Sequence, residues 1–186
     1  ADIVLNDIAD YDEWAANAPA HNWTALGALG GTLDGNGHTV YGLYAKGKAN
    51  NLGLFSSIGT SNLPGTVKNL TLKNVYLFQE EEQNGSKAQV AGALAAQVSH
   101  HVIKLENCHV EGKIYGYDAA GGLIGAAFSG TNDGSVEMIG CTVKGEVGSS
   151  NPNRSVTKTS SYYDYVACGG LFGMVKLGKD GNCTLS

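Results

Sequence analysis

The chain of 186 residues carries 16% charged residues and a formal net charge of -5. That balance leaves no basic stripe to neutralise phosphates and so excludes the usual nucleic-acid binder. Twenty-seven glycines against three prolines, with 42% hydrophobic residues, exclude a polar, proline-rich linker and point to tight turns between short strands.

In chain order, residues 1–30 are expected to form an N-terminal capping segment. Asp10-Tyr-Asp-Glu-Trp-Ala-Ala-Asn17 suits a short helix with an acidic first turn. Trp14 and Trp23 are the two tryptophans of the chain. Large aromatics confined to one end suit a cover for the open edge of a repeat stack. The run Gly30-Gly-Thr-Leu-Asp-Gly-Asn-Gly-His-Thr-Val40 then reads as strand, turn and strand, with Asp34 in the turn bonding locally.

Residues 31–186 read as repeats. One motif appears as Asn51-Leu-Gly-Leu-Phe-Ser-Ser-Ile58, Val90-Ala-Gly-Ala-Leu-Ala-Ala-Gln-Val98, Ala120-Gly-Gly-Leu-Ile-Gly-Ala-Ala-Phe128 and Cys168-Gly-Gly-Leu-Phe-Gly-Met-Val175. It aligns Leu54, Leu94, Leu123 and Leu171 at intervals of 40, 29 and 48 residues. A second motif follows each copy: Val67-Lys-Asn-Leu-Thr-Leu72, Leu105-Glu-Asn-Cys-His-Val110, Met138-Ile-Gly-Cys-Thr-Val143 and Asn182-Cys-Thr-Leu185. It aligns Leu70, Cys108, Cys141 and Cys183. Its apolar residues alternate with polar ones, the pattern of a half-buried strand. The first motif holds too much glycine for a helix.

A unit of this size cannot bury its apolar face alone, but stacked units can. The chain is therefore expected to be an all-β solenoid. Leu54, Leu94, Leu123 and Leu171 would form one core ladder, and Leu70, Cys108, Cys141 and Cys183 another. Asn69, Asn107 and Asn182 align, with Gly140 as the exception, and are expected to bond along a ladder. Gly112 and Gly145 mark one corner, where Asn74 takes the same place at positive φ. The stacked thiols are expected to be free, although the strand spacing would also admit a Cys108–Cys141 disulfide. The array is expected to continue beyond Ser186, because an open solenoid edge there would be unprotected.

The same residues carry a resemblance. Gly30-Gly-Thr-Leu-Asp-Gly-Asn-Gly-His-Thr-Val-Tyr-Gly-Leu43, Asn51-Leu-Gly-Leu-Phe55 and Val67-Lys-Asn-Leu-Thr-Leu72 resemble bacterial GLUG-repeat surface proteins. These include adhesins and the non-catalytic N-terminal regions of immunoglobulin A-cleaving metallopeptidases. The resemblance implies a right-handed parallel β-helix on a secreted, cell-surface or wall-attached protein, joined to further domains. Ala93, Gly140 and the long insertion before Cys168 depart from the pattern.

Catalytic constellations are weak. The H-E-x-x-H signature of metallopeptidases is absent from the sequence. His100-His101 would point to opposite faces of a strand and chelate poorly. Glu80-Glu-Glu82 reads as a solvated loop. Paired aspartates and a carboxylate ladder, as polysaccharide-cleaving β-helices need, are also missing. We therefore expect no enzyme, no metal and no cofactor. No apolar run approaches the roughly 20 residues that span a bilayer as a helix, so membrane insertion is not expected.

Recognition is expected from loops on the scaffold. Tyr115 and Tyr117, with Tyr162, Tyr163 and Tyr165 of the Ser- and Asn-rich insertion, are the candidate binding residues. Their expected partner is a host or matrix protein or a glycan. Two functions follow: an adhesin or stalk module, or a carbohydrate-binding or polysaccharide-processing β-helix.

Overall fold

The computed structural model describes residues 1–80, 88–98, 102–128, 135–150, 167–176 and 182–185. After β1 (Ile3–Val4), the first coil is β2 (Leu26–Leu29), β3 (Gly31–Asp34), β4 (Thr39–Tyr41) and β5 (Tyr44–Gly47). The second is β6 (Asn51–Leu52), β7 (Phe55–Ile58), β8 (Gly65–Lys68) and β9 (Thr71–Gln79). The third is β10 (Val90–Gly92), β11 (Ala95–Val98), β12 (Ile103–Glu106) and β13 (His109–Gly116). The fourth is β14 (Ala119–Gly121), β15 (Ile124–Phe128), β16 (Ser135–Ile139) and β17 (Thr142–Ser149). β18 (Ala167–Gly169), β19 (Phe172–Lys176) and β20 (Asn182–Leu185) open the next.

These strands stack into four parallel sheets. Sheet I holds β1, β4, β9, β13 and β17 in that order, with β5 also beside β9. Sheet II is β6, β10, β14 and β18; sheet III is β2, β7, β11, β15 and β19; sheet IV is β3, β8, β12, β16 and β20. The chain is thus an all-β parallel solenoid of about four turns.

The core is a set of ladders, because equivalent inward residues recur once per coil. Leu54, Leu94 and Leu123 are buried, and Leu171 packs against them half-buried. Their amides climb the stack: Leu54 N donates to Ala93 O at 2.9 Å, Leu94 N to Leu123 O at 3.0 Å, and Leu123 N to Leu171 O at 3.0 Å. Val67, Leu105 and Met138 form a parallel row in sheet IV. Each fully buried leucine contributes about 2 kcal/mol.

Corners between sheets use polar side chains to satisfy backbone groups that leave the ladder. Between sheets I and II, the Gln79 amide donates to Ala49 O at 2.7 Å and Asn50 O at 3.0 Å. The buried Asp118 carboxylate accepts the Gln89 amide at 2.7 Å. Between sheets IV and I, Asn69, Asn107 and Gly140 all take left-handed backbone, with φ of 54°, 49° and 62°. Asn107 Nδ2 donates to Asn69 Oδ1 at 3.3 Å, and Asn69 Nδ2 to Asp34 Oδ1 at 3.1 Å. The ladder therefore starts one coil earlier than the asparagines themselves suggest.

The structure departs from expectation in five places. The helix over 10–17 reduces to one 3-10 turn, Tyr11–Glu13, and Asp10 makes no side-chain cap; so short a helix has too few internal bonds to persist as one. Trp14 packs on the outer side of sheet I with Tyr44 and Tyr76, whereas Trp23 does pack on the main core. Residues 1–30 also supply strands, since β1 pairs with β4 and β2 with β7.

The fourth departure corrects a ladder. Cys183 pairs with Val136 and Asn182 with Ser135, so neither joins the Cys108–Cys141 or Asn69–Asn107 ladder. The spacing explains it. Cys183 follows Leu171 by 12 residues, Val136 follows Leu123 by 13, and Cys141 follows Leu123 by 18. A two-residue alternation alone fits either strand. At the glycine corner, Asn74 (φ 52°) is an extra bulge residue, and Val75 rather than Asn74 pairs with Gly112.

Candidate functional site

Alternation along sheet I sends its bulky aromatics outward. In β9, Leu72, Val75 and Leu77 belong to the main core, which leaves Tyr76 and Phe78 on the other face. In β13, Ile114 points inward between Lys113 and Tyr115. The parallel register then aligns Tyr44, Tyr76, Lys113 and Glu146 in one row. Lys46, Phe78, Tyr115 and Gly148 form the next.

The rings form a continuous strip. Tyr44 and Tyr76 stack with centroids 5.5 Å apart and planes 13° apart. Trp14 meets Tyr44 edge-on at 5.6 Å, and Tyr11 meets Trp14 at 5.1 Å. The Tyr11 hydroxyl donates to Val75 O at 2.8 Å and pins this N-terminal segment to the sheet. Tyr76 lies 6.3 Å and Phe78 5.8 Å from Tyr115. Trp14, Tyr44 and Tyr76 are buried, while Phe78 and Tyr115 are half-buried. The N-terminal excursion covers one end of the strip and leaves the Phe78–Tyr115 end accessible.

Charges border that end. Lys46 Nζ sits 5.7 Å from the Phe78 ring centroid, and Lys113 Nζ sits 5.7 Å from that of Tyr11. Such contacts are worth about 0.5–1 kcal/mol at exposed positions. The Tyr115 hydroxyl donates to Glu146 Oε2 at 2.5 Å. Burial and then the Glu146 carboxylate push the Tyr115 phenol up to about 12. Burial also raises Tyr11, Tyr44 and Tyr76. All four phenols are neutral near pH 7, so the strip offers ring faces with cationic and anionic edges.

Tyr115 thus lies in a built surface. Tyr117 lies two residues on, half-buried, at the turn into sheet II, where its amide donates to Gln79 Oε1 at 3.2 Å. Tyr162, Tyr163 and Tyr165 lie outside the described residues, as do His100-His101 and Glu81-Glu82. Sequence reasoning missed Tyr11, Tyr44, Tyr76 and Phe78. The alternation Tyr76-Leu-Phe78 and the coil-length interval from Tyr44 to Tyr76 were the available signals. Beside the strip, a cleft of about 600 Å³ is lined by Asn6, Asp7, Asp10, Glu13, Asn17 and His21, among others. Among the described residues, no three His, Cys, Asp or Glu side chains group so as to hold a metal ion.

No family model and no solved structure matches the chain. Halomucin of Haloquadratum walsbyi is 32% identical to it over 101 residues, 54% of this chain and 1% of halomucin. The chain therefore spans about one hundredth of that relative's length.

Proposed function

We propose that the chain is a non-catalytic scaffold module of a large extracellular, cell-surface protein, working as a stalk or adhesin segment. The observation that carries this reading is the coil-on-coil stack of parallel strands in all four sheets. Such a stack is a stiff rod whose sides can present contact residues without altering its core. The partial likeness to a protein named as a mucin supports the surface location. The likeness of the first coils to GLUG repeats belongs to the same proposal. Antibodies against the chain should label intact cells of the source organism. Labelling only after permeabilisation would overturn the surface assignment.

The contact surface in this reading is the open end of the aromatic strip, around Phe78 and Tyr115. Half-buried ring faces bordered by Lys46, Lys113 and Glu146 suit the flat apolar face and hydroxyl edge of a glycan. On a glycan array, the chain should retain a subset of glycans that Tyr115→Ala and Phe78→Ala lose. An array with no retained glycan would remove the glycan reading and leave the scaffold reading standing.

A further inference from the structure

We propose that Cys108 and Cys141 form a thiol–disulfide site that can join successive coils covalently. Both follow the left-handed corner residues Asn107 and Gly140. The next residues, His109 and Thr142, are register partners, and Thr142 N donates to Cys108 O at 3.0 Å. The two cysteines therefore face each other across one strand spacing. That spacing is about 4.8 Å, inside the Cα separation that disulfides use.

The Cys141 sulfur also leans toward the coil that holds Cys108. Cys141 Sγ donates to Leu105 O at 3.6 Å, in the coil that holds Cys108, and to Ile139 O at 3.5 Å. Cys108 Sγ points one coil further back, 3.4 Å from Val67 O and 3.5 Å from Glu106 O, and closes on Cys141 by rotating about its χ1 bond. Cys108 is buried, Cys141 is half-buried, and Cys168 sits elsewhere, paired with Ala120 in sheet II.

The two thiols have unequal roles. Hydrogen bonding from Cys108 lowers Cys141 below the ordinary thiol range, and the same contact raises Cys108. Cys141 is thus both the accessible thiol and the one that ionises first, as an attacking thiol must. As thiolate it attacks one sulfur of a small-molecule disulfide such as glutathione disulfide. The reagent's S–S bond breaks, and one glutathione thiolate leaves and takes up the proton that Cys141 released. Cys108 then attacks the Cys141 sulfur of the mixed disulfide, and its proton goes to the second departing glutathione. Two protein thiols are oxidised by two electrons, and one reagent disulfide is reduced to two thiols.

The test uses the chain with Cys168→Ser and Cys183→Ser, so that two cysteines remain. The folded protein is incubated with glutathione disulfide, alkylated and mapped by mass spectrometry without reduction. The expected result is a Cys108–Cys141 crosslinked peptide pair with no retained glutathione. The thermal midpoint should rise by a few degrees, as closing a loop constrains the unfolded chain, and dithiothreitol should reverse it. Cys108→Ala in this background should instead keep glutathione on Cys141. Should that variant fail to fold, Cys141→Ser supplies the check, because it should leave the buried Cys108 unreacted. A persistent glutathione adduct on Cys141 in the two-cysteine protein, or no reaction at all while the urea-unfolded protein reacts, would overturn the proposal.

Discussion

The rings of Tyr44 and Tyr76 stack one coil above the other, with centroids 5.5 Å apart and planes 13° apart. The core lies on the opposite face of the same strands, so this contact binds coil to coil from outside. Trp14 seals it, meeting Tyr44 edge-on at 5.6 Å.

Trp14→Ala should therefore destabilise the chain although it leaves the main core intact. Trp14 is 2% exposed, and removing a buried aromatic side chain costs about 3–5 kcal/mol. Urea denaturation should show the lower midpoint, and limited proteolysis should show faster cleavage within residues 7–21.

The leucine ladder should grade by burial. Leu94→Ala and Leu123→Ala remove fully buried side chains and should cost about 2–5 kcal/mol each. Leu171→Ala, at a half-buried position of the same ladder, should cost clearly less. Chemical denaturation of the three variants makes the comparison.

Gly125 sits where coils approach closely. An added Cβ would lie 2.7 Å from Ala91 O and 2.7 Å from Ala96 O, both backbone atoms that cannot step aside. At Gly27 an added Cβ meets nothing within 4 Å. Gly125→Ala should lower the thermal midpoint strongly, and Gly27→Ala should leave it within about a degree.

The asparagine corner separates backbone strain from side-chain bonding. Asn69→Ala puts a Cβ-bearing residue without a local amide at φ 54°, at about 1–2 kcal/mol, and also breaks the bonds to Asp34 and Asn107. Asn69→Gly relieves the strain but not the lost bonds. Its midpoint should fall between those of the parent and Asn69→Ala.

The Tyr115 phenol gives a pH signature. Its folded value is raised to about 12 by burial and Glu146, against about 10 in an unfolded chain. The neutral phenol thus contributes stability that is fully present below pH 10 and lost as pH rises through 12. In a tyrosinate absorbance titration, the difference between the parent and Tyr115→Phe should titrate near 12. Glu146→Ala should move that step downward.

Much of the fold was legible because a solenoid repeats its local chemistry. Leu54, Leu94 and Leu123 announce a ladder through their shared Gly-rich setting, and Asn69 and Asn107 announce a ladder of bonded side chains. Cys183 shows where this reading fails. Its Asn-Cys-Thr-Leu setting matches the Cys108 corner in residue type, yet the chain from Leu171 is too short to reach that corner.

The candidate surface was half legible. Tyr115 was among the candidate binding residues, but its neighbours Phe78, Tyr76 and Tyr11 come from other coils and from the N-terminal excursion. Sequence alone determined that this chain must stack, because alternating apolar residues with glycine corners cannot bury a core any other way. Only the tertiary structure decided which coil each strand joins and where Trp14 docks. Those depend on loop lengths and on contacts between residues distant in the chain, which no local pattern encodes.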